Sequence, residues 1–488
     1  MGDARTFAWL IGLLATAILL AVLANRVSDR IRVPAPALFL VAAAIGSDLF
    51  PELGRLSPQI NQRIVTVALI FVLFDGGMHI GWKRFRTSAG AVVWIGVAGT
   101  IVTAGALAVT AHLVLGFSWT TAMLIGAALS PTDPAVVFSV LGQREIQGRS
   151  GTILEGESGA NDPVGIALMA VLLGTTGGGI TAVATGLGEF ALQMVVGAAV
   201  GVAGGLGLAR LMRIPLPNEA LYSIRLAAAA VVVYAAATLL FGSGFLAVLV
   251  AGILIGDVRA PFKREVERFT SGLSGLGEIV AFTVLGLSIS VRDAIRPDVF
   301  WAGLAIAAIL ILVIRPILVG AVTARIKLDR GERAFVLWAG LKGAVPILLG
   351  TYVLGVGRAD ARRVYEIIFV VVLISVVVQG GLVPTFARLL SVPMTTAEPQ
   401  PFALGLRFTG EPDGVYRCVV APGARAEGST VADLNIGDDA WINMIRRDGQ
   451  LVQIRGNTVL QAGDEVLVQT DPDVDLQDLF RSPPSTGG

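Results

Sequence analysis

Apolar residues run along this chain in windows close to the ~20 residues that a helix needs to cross a hydrocarbon core of about 30 Å. They recur from residue 6 to residue 390, with short polar loops between them. Thirteen windows are predicted as spanning helices: 6–25, 33–50, 63–80, 90–114, 119–141, 152–174, 185–209, 219–240, 243–257, 270–290, 299–324, 334–356 and 365–390. An odd count puts the two ends of the chain on opposite sides of the bilayer. Most loop Lys and Arg residues fall on one side, among them Arg26, Arg30, Lys83, Arg84, Arg144, Arg213, Lys263 and Arg330; fewer, such as Arg55, Arg292 and Arg362, fall on the other. Cytoplasmic loops carry the excess of positive charge, so the N-terminus is expected outside and the C-terminus in the cytoplasm. The first window is too long for a cleaved secretory signal, and a dozen further windows follow it.

Past residue 390 the pattern changes. A proline-containing linker, 391–403, leads to a polar segment, 404–488, with alternating runs at Val415–Val420, Trp441–Arg446, Leu451–Ile454 and Glu465–Val468. The pair Asp448-Gly449 marks a hairpin turn between the second and third runs. The expected architecture is therefore an all-α polytopic membrane domain over 1–390 and a small cytoplasmic α+β domain.

Composition sharpens this picture by exclusion. The 488 residues are 54% hydrophobic and 15% charged, against roughly 25% charge in a soluble domain. Such a chain cannot hide its apolar surface in water. Cys418 is the single cysteine, so no intramolecular disulfide forms, and two histidines, His79 and His112, are too few for a histidine-rich metal site. No cofactor and no nucleic-acid partner is expected.

Charges inside the apolar windows carry the chemistry. A charged side chain at the bilayer centre costs on the order of 3 kcal/mol, which selects for groups that pair or work. In the fifth window, Ser130-Pro131-Thr132-Asp133-Pro134 brackets an acid with prolines, so the helix breaks there and exposes backbone groups. In the sixth, Glu157-Ser158-Gly159-Ala160-Asn161-Asp162-Pro163 puts Glu157 and Asn161 on one strip, with Ser158 and Asp162 on the next. These hard oxygen ligands suit a group I cation and not zinc or copper. Arg315 in the eleventh window and Lys342 in the twelfth offset the acids, and Arg315 is expected to pair with Glu157. The stretch Gly340-Leu341-Lys342-Gly343-Ala344-Val345-Pro346 interrupts a second helix, mirroring the fifth window, as in transporters built from inverted repeats. Asp75 and Glu278 lie nearer span ends and read as structural.

These stretches, with Phe74-Asp75-Gly76-Gly77-Met78 and Arg315-Pro316, resemble in order and spacing the NhaP-like cation:proton antiporters, relatives of the eukaryotic sodium/hydrogen exchangers. The resemblance covers the whole chain. It implies a thirteen-helix homodimer in the plasma (inner) membrane, whose core slides against a dimerisation domain. It also implies a cation held by Asp162 and Asp133 with Ser158 and the Thr132 backbone, supported by the Glu157–Arg315 pair. Lys342 departs from the family, which usually has Arg there; the charge is kept but the planar fork is lost. Thr430-Val431-Ala432-Asp433-Leu434 and Val459-Leu460-Gln461-Ala462-Gly463-Asp464-Glu465 resemble the C-terminal half of potassium-transport regulatory domains, which implies a small regulatory ligand and tilts the substrate toward K+ over Na+.

A mechanism follows from one carboxylate with two competing guests. Desolvation and the nearby Asp133 both disfavour a bare charge on Asp162, so it takes up either a proton or a cation. If the core crosses only when neutralised, exchange is obligatory. Two other classes compete with this reading: a regulated potassium channel, whose Thr-Val-Gly-Tyr-Gly filter does not occur in this sequence, and a sodium-coupled organic-acid symporter, which would need a roomier polar pocket. A membrane-embedded hydrolase is weaker still, since the sequence has no His-Glu-x-x-His motif and no credible Ser-His pair.

Overall fold

A computed structural model describes residues 34–50, 57–141, 144–146, 149–174, 180–258, 260–323, 326, 328–355, 360–396, 415–434, 436, 440–448, 450–470 and 477–480, together with Gly12 and Leu19. The first predicted window, 6–25, lies outside the described residues apart from those two helical positions. The chain divides into two compact units, Met1–Glu398 and Pro399–Gly488.

In the first unit one group of helices forms a tightly packed layer. It holds α1 (Ala35–Leu49), α2 (Pro58–Val93), α7 (Ile180–Leu211), α8 (Glu219–Leu239), α9 (Gly244–Gly256) and α10 (Lys263–Leu287). Small residues set its spacing. A Cβ on Gly252 would strike the Phe74 carbonyl, one on Gly256 the Met78 carbonyl and one on Gly201 the Ala247 carbonyl, so α9 lies backbone to backbone against α2 and α7. Helix starts follow local chemistry: Ser57 accepts from the Ile60 amide at 3.3 Å ahead of Pro58, and Ser243 caps α9 in the same way.

The loop expected over 81–89 is instead a kink. Helix α2 turns at Gly81, whose φ of 63° lies in the left-handed region, and then continues to Val93. Asp257, at the end of α9, accepts from the Lys83 amide at 2.6 Å and so caps the second half of α2. A short charged stretch can stay helical because this carboxylate meets the freed amide.

The second group holds the interrupted helices. After a π-helical stretch, Trp94–Gly99, come α3 (Thr100–Leu115), α4 (Trp119–Leu129), α5 (Ala135–Leu141), strand β1 (Arg144–Ile146) and α6 (Arg149–Gly174). Further on follow α11 (Val291–Ala294), α12 (Pro297–Ile309), a π-helical stretch at Leu310–Val319, α13 (Gly320–Thr323), α14 (Arg330–Trp338), α15 (Ala344–Gly355), α16 (Ala361–Ile374), a third π-helical stretch at Ser375–Gly380, α17 (Gly381–Leu389) and strand β2 (Met394–Thr396). The fifth and twelfth windows are thus both discontinuous, broken at 130–134 and 339–343. Six helical stretches among the described residues are long and apolar enough to cross a membrane, and α1, α4, α9 and α15 are shorter apolar helices.

The second unit is built on a four-stranded antiparallel sheet. Its strands β3 (Val415–Val419), β4 (Ala440–Arg447), β5 (Gln450–Val452) and β6 (Glu465–Thr470) lie in the order β3-β6-β4-β5. The register runs Cys418 to Val466 and Ile445 to Val466, with a bulge between Ile442 and Met444. Asp448 adopts a φ of 50° at the β4–β5 turn; Gly449, its expected partner, lies outside the described residues. The core holds Cys418, Val420, Leu434, Ile445, Leu460, Val466, Val468 and Phe480, the last from a short helix α18 (Gln477–Phe480).

Candidate functional site

The two helix breaks cross each other. The Asp133 amide, freed by the proline-bracketed turn, donates to the Leu341 carbonyl in the other break at 2.8 Å. Lys342 returns the contact: its Nζ donates to the Ser130 and Pro131 carbonyls at 2.9 and 2.8 Å, with the residue 1% exposed. Four consecutive carbonyls at a helix C-terminus lack partners and carry partial negative charge, so an ammonium there supplies both hydrogen bonds and charge. A Cβ on Gly343 would overlap the Asp133 carboxylate, and one on Gly340 the Arg315 guanidinium. Neither glycine has a positive φ; both are required for space.

Helix α6 supplies the third wall. Asn161 Nδ2 donates to Thr132 Oγ1 at 2.6 Å, and its Oδ1 accepts from the Thr132 amide at 3.2 Å. The amide side chain therefore fastens α6 to the first break and brings Asp162, 7% exposed, and Ser158, 5% exposed, to the same buried crossing as Thr132 and Asp133. The Pro131 ring packs where a Cβ on Gly165 would stand. Arg315, in its π-helical stretch, donates to Glu157 Oε1 at 3.1 Å, to Leu337 O at 2.9 Å and to Val336 O at 3.3 Å. It links α6 to the end of α14 and satisfies two carbonyls at the second break.

All eight residues singled out from sequence, Thr132, Asp133, Glu157, Ser158, Asn161, Asp162, Arg315 and Lys342, gather at this crossing. Their arrangement can neutralise a small cation with carboxylate, hydroxyl and backbone oxygens while excluding bulk water. Among the described residues no group of three or more His, Cys, Asp and Glu has metal-binding spacing.

Asp75 sits apart, accepting from Ser271 Oγ at 3.0 Å and thereby pinning α2 to α10. Glu278, on α10, lies within electrostatic reach of Asp133 and has one buried oxygen without a hydrogen-bond partner among the described residues.

Sequence reasoning missed Ser375 and Gln379. Both are 1% exposed; Ser375 Oγ accepts from the Lys342 amide at 3.0 Å, and Gln379 Nε2 donates to the Trp338 carbonyl at 2.5 Å. The available signal was two uncharged polar residues four apart inside an otherwise apolar window, a pattern that draws less notice than a charge.

The sodium/hydrogen exchanger transmembrane family matches residues 15–389, and the TrkA-C domain matches residues 415–481. The chain is 32% identical over 463 residues to the K(+)/H(+) antiporter NhaP of Alkalimonas amylolytica, covering 92% of this chain and 79% of that one. It is 30% identical to the K(+)/H(+) antiporter NhaP2 of Shewanella sp. (strain MR-4), covering 98% and 84%, and 27% identical to the Na(+)/H(+) antiporter NhaH of Halobacillus aidingensis, covering 70% and 88%. The fold is similar to that of the sodium proton antiporter MjNhaP1 from Methanocaldococcus jannaschii, with a TM-score of 0.67 at 20% identity over 79% of this chain and 99% of that one. The crossed helix breaks, the buried acids between them and these matches together place the chain in the sodium/hydrogen exchanger family, as a multi-pass membrane transporter with an appended TrkA-C domain.

Proposed function

We propose that this chain exchanges a monovalent cation, K+ in preference to Na+, for one proton, with both guests competing for Asp162. The observation that carries the reading is the Asn161 clasp on Thr132, which sets Asp162 and Ser158 beside the broken backbone that bears Asp133. In this reading Asp162, Asp133, Ser158 and the Thr132 backbone hold the cation. Glu157 and Arg315 brace α6 against the second break, and Lys342 offsets the helix end at the first.

A bare Asp162 is costly in a dry crossing, so it moves only with a cation or a proton aboard. Carrying one guest in each direction makes the exchange obligatory. The potassium preference is supported by K(+)/H(+) antiporters among the relatives and by the TrkA-C domain. The protein works as a homodimer in the plasma (inner) membrane, N-terminus outside and C-terminus in the cytoplasm, where the TrkA-C domain meets a small regulatory ligand.

The test is dye-quenching of internal pH in proteoliposomes, repeated with potassium, sodium and lithium. Wild type is expected to dissipate a pH gradient on cation addition, potassium being effective at the lowest concentration. Asp162→Asn is expected to abolish the response while remaining folded in detergent. Normal exchange by that variant would reject the shared-carboxylate mechanism.

A further inference from the structure

Ser375 and Gln379 take no part in the mechanism above, yet they hold both edges of the second break. They lie on the π-helical stretch Ser375–Gly380, in a helix whose neighbouring residues are Ile, Val and Leu. A buried hydroxyl and amide in such surroundings persist only when their hydrogen bonds are met. Here the donors and acceptors run one way across the gap. The Lys342 amide donates to Ser375 Oγ at 3.0 Å, the Ser375 hydroxyl donates to Gln379 Oε1 at 2.8 Å, and Gln379 Nε2 donates to the Trp338 carbonyl at 2.5 Å. Trp338 Nε1 donates back to the Gln379 carbonyl at 3.3 Å, and its ring stacks on Phe386 with centroids 3.9 Å apart. Trp338 is the last residue of α14 and Lys342 stands two before α15, so the strap spans the whole interruption.

We propose that Ser375 and Gln379 are positioning residues for ion exchange: they fix the gap at 339–343 and so the place of Lys342 and Gly343 against Asp133. The inference rests on the reading of the crossing as the transport site. Its geometric basis is the short path involved. The residue whose amide Ser375 holds is the one whose ammonium caps Ser130 and Pro131, and the next residue, Gly343, lies against the Asp133 carboxylate. A gap that widens by a fraction of an ångström moves the cation's ligands and the ammonium together. π-Helical stretches often occur at functional sites, where the extra residue re-aims side chains. Here the stretch brings a hydroxyl and an amide four residues apart to opposite lips of one break.

The test uses the full chain in proteoliposomes and compares Ser375→Ala, Ser375→Thr and Gln379→Leu with wild type. The readouts are the apparent KM for potassium, the maximal rate, and the thermal shift that potassium chloride produces in detergent. Ser375→Ala and Gln379→Leu are expected to raise KM about tenfold, the order set by one broken buried hydrogen bond, and to shrink the potassium-dependent thermal shift. Ser375→Thr keeps the hydroxyl and is expected to stay near wild type. Should Gln379→Leu fail to fold, the single-atom deletion in Ser375→Ala carries the test. Wild-type KM in both variants, with only the melting temperature lowered, would reduce the strap to packing and overturn the proposal alone. A wild-type protein that exchanges none of the three cations would overturn the transport reading first and this inference with it.

Discussion

Arg315 shows what a buried charge needs in order to stay buried. One planar group reaches a carboxylate on α6 and two carbonyls at the end of α14, and Gly340 leaves it room. Arg315→Ala strips Glu157 of its cation and two carbonyls of their donor, a change of about 3–5 kcal/mol for a broken buried pair. Thermal unfolding in detergent should therefore fall sharply, with cation affinity less affected in whatever protein remains folded; a fully stable variant would mean that Glu157 has another partner. Arg315→Lys is expected to rescue little, because an ammonium cannot span three acceptors in a plane. In the second unit Asp464, fully buried, accepts from Arg447 Nε and Nη2 at 2.7 Å each and from the Gln461 amide at 2.8 Å. Burial alone would raise its pKa, but Arg447 and the Gln461 amide hold it below the ordinary 3.8. A depressed carboxyl contributes stability that is complete above its unfolded value and is lost as pH falls through the folded one. Amide-exchange protection of β6 in the full chain should thus drop as pH falls below 3.8, and Asp464→Asn should flatten that step.

At the scale of elements, the two-stranded sheet joins distant parts of the chain. Strand β1 lies between α5 and α6, the helices that follow Asp133 and carry Asp162, and β2 precedes the second unit in sequence; Glu145 pairs with Thr395 in an antiparallel register. The linker expected over 391–403 therefore begins with a paired strand, and a cut at Thr395 would remove two of its three pairs. Truncation after Thr396 is expected to keep the exchange rate and change only its regulation, since every buried charge of the crossing precedes it. Truncation after Leu390 leaves β1 without its partner and should slow exchange as well. Complete loss of exchange in a well-folded chain ending at Thr396 would contradict this. The helix breaks themselves were legible because proline and glycine act locally: Pro131 and Pro134 cannot continue a ladder, whatever surrounds them. The kink at Gly81 was not legible, since it depends on Asp257, which is distant in sequence. The π-helical stretches were equally hidden, because an extra residue in a turn leaves the apolar pattern almost unchanged. The role of Gly340 and Gly343 was half visible: sequence marks them as breakers, but only the packing shows that Arg315 and Asp133 occupy the space of their missing side chains.

At the scale of the whole molecule, a layer locked by glycine contacts through α9 faces a group of helices that carries the charged crossing; along the seam α2 touches α6 and α15, α7 touches α6 and α10 touches α15. In the proposed exchange the charge of that crossing travels with the ion, so the charge balance decides how transport would respond to voltage. Asn161 sets the balance. Its amide cannot titrate and is already committed to Thr132, so the proposed mechanism leaves Asp162 as the one proton carrier on that strip of α6. Glu157 is held against Arg315, and Lys342 against two carbonyls. In the proposed mechanism one proton then replaces one monovalent cation, and the loaded crossing would have the same charge in both directions. Exchange should be electroneutral, insensitive to a clamped membrane potential and driven by the pH and cation gradients alone. Moving one net charge across 100 mV is worth about 2.3 kcal/mol, so a two-proton cycle would change strongly with voltage. Recordings on a solid-supported membrane should accordingly show no sustained potassium-dependent current. A sustained current would require a second proton carrier, and Lys342 and Glu157 are the two groups to substitute first, because both are buried charged side chains at the crossing.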